Sequence, residues 1–521
     1  MFLSNPPRFV LPSVFKPFLR PAPLASFVLL VFLLCLLNAR IAAQETDSTE
    51  RPNVLFIAVD DLNDWIRCMG GRAGVSTPHL DRLAACGVLF TNAHCAAPSC
   101  NPSRVAVMTG VAPHHSGIYN NSQDWRMSGR LSDASTIPEH FRQAGYRAIG
   151  GGKIFHALSW IKDGYGQQQN DPKIWDDYFP SATDPMPPAL WPKGANAKTN
   201  AAGYTNWKAI AQAEDQSIRR PAHFWDWAPY DEPESESADS KVVDWATREL
   251  AKDSQTPVFQ AVGIFRPHIP WFAPRKYFDL YPIEGVKLPK ILKNDLADTS
   301  AVGQGFCRRQ WQDWAVKTNM WRGAVQGYLA SISFADAQIG RLLDSLDASP
   351  RAKNTIVVLW SDHGMHIGEK EHWEKFTLWE ESTRVPLMIV APGVTQAGGV
   401  CKQPVSLLDI YPTLNELCGL APIPGLDGQS LMSLLRDPSS ERVEPAITTW
   451  GQRNFGIRDE RFRLIQYHNG DQELYDHYSD PDEFHNLLHS EPEKWTETIS
   501  RLAGWIPELS VAPIQREKKA E

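Results

Sequence analysis

Two unbroken runs, Val54-Leu-Phe-Ile-Ala-Val59 and Thr355-Ile-Val-Val-Leu-Trp360, constrain this chain more than anything else in it. A strand with one wet face alternates apolar and polar side chains. A run without alternation reads as a strand covered on both faces, as in a parallel sheet sandwiched between helices. Each run ends in acid: Asp60-Asp61 follows the first and Asp362-His363-Gly364 the second. Ligands of open α/β sheets gather beyond the carboxyl ends of the strands, so both ends point to one site. The 521 residues are enough for one large core and a smaller appended one.

Apolar residues over 328–347 recur at spacings of three and four and predict a helix; residues 257–263 read as a further strand and 406–417 as a late helix. Residues 160–245 differ, being rich in Pro, Gly and Asn with tryptophans at 160, 175, 191, 207, 225, 227 and 245. They read as long excursions over the active edge of the sheet, with little regular structure. Their tryptophans serve as packing anchors more often than as sugar-stacking platforms. From Pro445 the pattern changes to short strands at 446–450, 455–457 and 462–467 and a closing helix over 491–506. The expected division is a catalytic domain at 52–440 and a C-terminal α+β subdomain at 441–515.

Arg8, Lys16 and Arg20 precede an apolar run over 27–37, and small residues follow at Ala39, Ala42 and Ala43. The run is too short to span a bilayer and fits a secretory signal over 1–43, with a polar linker at 44–51. The expectation is a secreted or periplasmic protein with no stable membrane span after cleavage. Removing the signal takes four basic side chains (Arg8, Lys16, Arg20, Arg40) and no acidic one, moving the formal charge from −8 to −12. Nothing in that balance suggests nucleic acid; an acidic protein that handles anions must concentrate positive charge at its site. Export permits disulfides. Apart from Cys35 in the signal and Cys100, six cysteines (Cys68, Cys86, Cys95, Cys307, Cys401, Cys418) could pair in fifteen ways.

Cys100-Asn-Pro-Ser-Arg104, with Thr109-Gly110 behind it, is the second constraint. Pro102 suits a first helical turn, where its missing N–H costs nothing. Arg104 falls one turn after Cys100 on the same face, and a helix N-terminus favours an anion beside residue 100. Taken alone, the five residues read equally well as a half-cystine beside a solvated arginine. Cys95 has the wrong spacing to Pro98-Ser99 and no arginine, and reads as structural. Asp60, Asp61 and Asp362 are hard oxygen donors suited to Ca²⁺ or Mg²⁺. Three weaker pieces complete the set: Lys153 and His156 in Gly151-Gly-Lys-Ile-Phe-His156, His268 in Phe265-Arg-Pro-His-Ile-Pro270, and Lys375 in His372-Trp-Glu-Lys-Phe376. A lone loop histidine is more often packing or surface than catalytic; the ordered set is what counts.

Together these motifs resemble the type I sulfatases, and among them the iduronate-2-sulfatase branch, over residues 52–490. Ser333-Phe-Ala-Asp336 and Glu473-Leu-Tyr-Asp476 fit the same branch. The resemblance implies an α/β fold of the alkaline-phosphatase-like kind: a large mixed, mostly parallel sheet flanked by helices, with a smaller C-terminal α+β subdomain. It implies that a maturation enzyme oxidises Cys100 to formylglycine, the catalytic nucleophile. It implies a Ca²⁺ site, Mg²⁺ being the alternative, made by Asp60, Asp61, Asp362, His363 and the formylglycine oxygen at position 100. Many sulfatases have asparagine where this chain has His363. Arg104, Lys153 and Lys375 are implied to hold the sulfate, His268 to protonate the leaving oxygen and His156 to assist release of sulfate. The implied substrate is a sulfated oligosaccharide or polysaccharide, a 2-O-sulfated uronic acid among them. A phosphonate monoester or phosphodiester hydrolase, and an inactive carbohydrate-binding homologue, are the other readings open. His114-His115 receives no role.

Overall fold

The computed structural model describes residues 51–70, 74–156, 170–181, 183–186, 190 and 225–515. The expected signal, linker residues 44–50 and the tryptophans at 160, 191 and 207 lie outside these. A nine-stranded sheet forms the centre. From one edge its strands are Gly399–Cys401, Val88–His94, Arg384–Val390, Thr355–Ser361, Asn53–Val59, Val258–Ile264, Arg147–Gly152 and Asp177–Phe179, with Val405–Ser406 also paired to Val88–His94. The two apolar runs are parallel neighbours, in register from Asn53 opposite Thr355 to Val59 opposite Ser361. Val258–Ile264 lies parallel on the other side of Asn53–Val59. Arg384–Val390 runs against both its neighbours. The sheet is therefore mixed and mostly parallel.

The period-2 geometry of a strand explains why the runs do not alternate in polarity. Leu55, Ile57 and Val59 enter one core with the helices Trp321–Asp347 and Ala238–Leu250; Val54, Phe56 and Ala58 enter another with Cys100–Thr109 and Ile410–Leu417. Burying one such large side chain is worth about 1.5–3 kcal/mol, so a strand loaded on both faces belongs at the centre. The strand ends then meet: Asp362 N donates to Val59 O at 3.3 Å and Asp61 N to Asp362 Oδ1 at 3.2 Å.

Where described, the stretch 160–245 is more regular than the sequence suggests. Asp177–Phe179 joins the central sheet, and Ala238–Leu250 is a helix whose Val242, Val243, Ala246 and Leu250 pack on the core. Trp175, Trp225, Trp227 and Trp245 are buried packing residues. The helix expected from 328 begins at Trp321. Its early glycines look like breakers but are contact points: a Cβ on Gly327 would meet Trp227 Cβ at 2.5 Å.

A four-stranded antiparallel sheet follows, made by Ala446–Thr449, Phe455–Arg458, Phe462–Gln466 and Gln472–Asp476. The fourth strand encloses the Glu473–Asp476 motif. The closing helix is shorter than expected, Thr496–Ala503, and its Leu502 packs against Phe455, Ile457 and Leu464. This sheet touches the centre, Thr449 N donating to Ala96 O at 2.9 Å and Thr448 Oγ1 to Cys95 O at 2.7 Å. All seven described cysteines are free thiols.

Candidate active site

Cys100 is the first residue of the helix Cys100–Thr109, every residue of which is buried. Asn121 caps it: Oδ1 accepts from Asn101 N at 2.9 Å and from Ser99 Oγ at 2.8 Å. Pro102 is the third helical residue, where no intrahelical N–H is required. Gly110 closes the helix with φ 71°, its N–H returning to Ala106 O. Held so, Cys100 Sγ lies 3.2 Å from His363 Nε2 and 4.0 Å from Lys153 Nζ.

The other singled-out residues gather around it. Asp60, Cys100, Asp362 and His363 present ligand-type atoms within 4.8 Å of one another, as do Asp61, Cys100 and His268. Lys153 Nζ rests on Asp60 Oδ2, and Lys375 Nζ on Asp61 at 2.7 and 2.9 Å. His363 Nδ1 faces Gly364 O at 2.9 Å, and a carbonyl can only accept, so that nitrogen carries the proton. Its Nε2 is thereby turned to the cluster, 3.4 Å from Asp61 and 3.5 Å from Asp362. His268 is arranged alike: Nδ1 donates to Ile269 O at 2.6 Å, and Nε2 lies 3.9 Å from Asp61 Oδ2.

One role moves. The sequence reading gives Arg104 to the sulfate; the structure gives it to the carboxylates. Nε donates to Asp362 at 2.8 Å, Nη2 to Asp60 at 3.1 Å, and Nη1 to the carbonyls of Lys153 and Ile154. Four of the five N–H donors of a guanidinium are thus committed. Arg104 braces these carboxylates.

The cluster is buried, with Asp60, Asp61, Arg104, Asp362 and His363 all 0% exposed. Burial alone raises carboxyl and thiol pKa values and lowers those of lysine and histidine. At Cys100 burial opposes ionisation, but Lys153, Lys375 and His363 outweigh it and hold the thiol well below its ordinary range. At Asp60 burial is likewise overcome by Lys153. At Asp362 burial wins over Arg104 and the carboxyl is pushed up. The site stabilises negative charge at residue 100.

Three buried carboxylates and an imidazole with its far nitrogen tied form a hard, anionic donor set that fits Ca²⁺ or Mg²⁺. His156 is buried beside them and interacts with Cys100, each shifting the other's protonation.

Several positioning groups received no role from the sequence. Tyr328 OH donates to Asp61 O at 2.8 Å and accepts from Asn63 N at 3.1 Å, holding Asp61 at its left-handed φ of 59°; at helical spacing it reads as core. Ser103 Oγ donates to Asp362 O at 2.6 Å. Asp239 accepts from Phe265 N and Arg266 N at 2.8 and 3.1 Å, fixing the turn that carries His268; an acid at a helix start reads as a cap. His114 and His115 stand apart, bound to Thr449 and Asp427.

Comparison with known proteins agrees with this geometry. The family model described as Sulfatase matches residues 52–420, and that described as N-sulphoglucosamine sulphohydrolase, C-terminal, matches 368–510. A protein named Sulfatase from Formosa agariphila is 35% identical over 92% of this chain and 91% of its own. Iduronate 2-sulfatase of Mus musculus is 32% identical over 77% of this chain and 74% of its own. A solved structure described as a complex with its substrate D-glucosamine-2-N,6-O-disulfate superposes with a TM-score of 0.65 at 20% identity, covering 88% of this chain and 97% of that one. That last likeness speaks to fold.

Proposed function

The chain belongs to the sulfatase family and is a sulfuric ester hydrolase, and from that premise we propose that it desulfates a sulfated carbohydrate outside the cytoplasm, using a formylglycine made from Cys100 and a divalent cation. The observation that carries this reading is the convergence at Cys100: a helix start, three carboxylates, two lysines and two imidazoles aimed by their Nε2 atoms. The iduronate 2-sulfatase relative supports a 2-O-sulfated uronic acid as the sugar. The basic residues and apolar run before Ala43 support export. Among the described residues no helix is long and apolar enough to cross a membrane. We assign catalysis to residues 52–440 and give 441–515 a supporting role, on the contacts of Thr448 and Thr449 with Cys95 and Ala96.

When present, the cation held by Asp60, Asp61, Asp362 and His363 supplies Lewis acidity, and the matured residue 100 supplies a hydrated aldehyde as nucleophile. Lys153 and Lys375 set fixed positive charge beside residue 100, where it stabilises the negative charge on the sulfate oxygens in the transition state. Arg104 keeps Asp60 and Asp362 in place. His268, the partly exposed member at 19%, donates a proton from Nε2 to the leaving alcohol oxygen. His156 takes a proton from residue 100 during release of sulfate. A maturation enzyme that oxidises Cys100 is the implied protein partner.

Two measurements test this. The mass of the proteolytic peptide containing residue 100, from protein secreted by its natural host, should be that of an aldehyde; fully active protein bearing an unmodified thiol would overturn the formylglycine. Rates on defined sulfated saccharides should exceed those on aryl phosphodiesters, and the reverse order would move the assignment to phosphodiester or phosphonate chemistry.

A further inference from the structure

A second cation near Lys375 has no part in the reaction described above. Arg308 immediately precedes the helix Arg309–Lys317. Its Nε lies 2.9 Å from Glu374 Oε2, and its guanidinium carbon lies 4.9 Å from the Trp311 ring centroid and 5.2 Å from that of Phe376. Lys375 Nζ is 5.8 Å from the same Phe376 centroid. The main chain is tied as well: Arg308 N donates to His372 Nδ1 at 2.9 Å, and His372 Nε2 donates to Lys375 O at 2.7 Å. Side chain and backbone of Arg308 are therefore fixed relative to Lys375.

Unlike the buried cations of the site, Arg308 reaches solvent: its side chain is 34% exposed, against 4% for Glu374. Among the described residues no protein acceptor meets either of its Nη atoms. Glu374 interacts electrostatically with Lys375, Asp61 and His268 as well as Arg308. The pair therefore lies within electrostatic range of Lys375 and His268.

We propose that Arg308 is a specificity-determining residue whose Nη edge binds a second anionic group, a carboxylate or a second sulfate, on the sugar whose sulfate ester is cleaved. The inference rests on the sulfatase reading above. Both cations lie over one phenyl ring, so they stand no farther apart than a short saccharide can span. A guanidinium edge matches a carboxylate or sulfate with two parallel hydrogen bonds. Glu374 and the two aromatic faces hold it in place before the ligand arrives, which lowers the ordering cost of binding. Glu374 also keeps the unliganded cation neutralised, so a substrate without the second anion gains nothing there.

The test compares two substrate pairs: a 2-sulfated uronic acid glycoside with its carboxyl methyl ester, and a disulfated glucosamine with its monosulfated counterpart. Steady-state kcat and KM are measured for wild type, Arg308→Ala and Arg308→Lys, with thermal unfolding of each protein recorded alongside. In Arg308→Ala the wild-type preference for the doubly anionic member, as a ratio of kcat/KM, should fall roughly tenfold or more through KM. Arg308→Lys should recover part of it. A fall confined to the uronate pair identifies a carboxylate as the ligand; one confined to the glucosamine pair identifies a sulfate. Equal loss on both members of each pair, or an unchanged ratio in active enzyme, would overturn the role. Wild-type protein that releases sulfate from none of the four would instead refute the proposed sulfated-sugar substrate, and this inference with it.

Discussion

Asp60 and Asp362 are wholly buried and share one guanidinium, that of Arg104. A buried charge that loses its partner is costly, so Arg104→Ala should destabilise the protein by about 3–5 kcal/mol, read from denaturant midpoints. Arg104→Lys keeps a charge but not the fork and should recover only part of that. The cation site makes a separate prediction with a readout independent of turnover. A ligand bound only by the folded state stabilises it by about 2.7 kcal/mol at a hundredfold excess over Kd. Adding Ca²⁺ to chelator-treated protein should therefore raise the thermal midpoint, and Asp362→Asn should abolish the rise. Identities at this scale were legible in the sequence because short motifs fix them; partners were not. Arg104 meets Asp362 across 258 positions and Tyr328 meets Asp61 across 267, separations set by tertiary packing alone.

Among the elements, the strands Asn53–Val59 and Thr355–Ser361 were readable because burial on both faces leaves an uninterrupted apolar run. Arg384–Val390 was not: it contains Pro386, and its register shifts between Val385 and Leu387, so the pattern is broken where the ladder is. Arg147–Gly152 was hidden by its glycines, which resemble a loop. Close approach demands them. A Cβ on Gly152, where φ is 76°, would meet Gly263 O at 2.0 Å. Gly152→Ala should push the two parallel strands apart at the residue before Lys153, costing about 1–3 kcal/mol or more by overpacking. A thermal midpoint and sulfate release, both lowered together, would register it. Where 160–245 is described, the expected irregularity gives way for the opposite reason: a proline- and tryptophan-rich composition concealed the helix Ala238–Leu250.

Across the whole molecule, the C-terminal sheet is joined to the centre by a buried charge network. Arg463 bridges Glu380 and Glu483, with Arg458 at 3.4 Å from Glu380 and His477 at 3.0 Å from Glu483. Glu380, His477 and Glu483 lie close enough to ligate a metal, but two guanidiniums already neutralise them. Burial would raise both carboxyls; His477, Arg458 and Arg463 hold Glu380 well below its ordinary range, and Arg463 and His477 hold Glu483 below it too. A carboxyl depressed on folding contributes stability above its unfolded pKa and loses it as pH falls through the folded value. The thermal midpoint should accordingly drop as pH falls below about 4.3, and Glu380→Gln should flatten that drop. The same sheet also imposes a timetable. Thr448 holds the carbonyl of Cys95 from 353 positions downstream, which at about 5–20 residues per second is roughly 20–70 seconds of synthesis. Cys100 in the finished fold is 1% exposed. For the maturation proposed above, the chain still unfolded around Cys100 should be the substrate, and the folded protein, with its thiol closed in, should resist oxidation there.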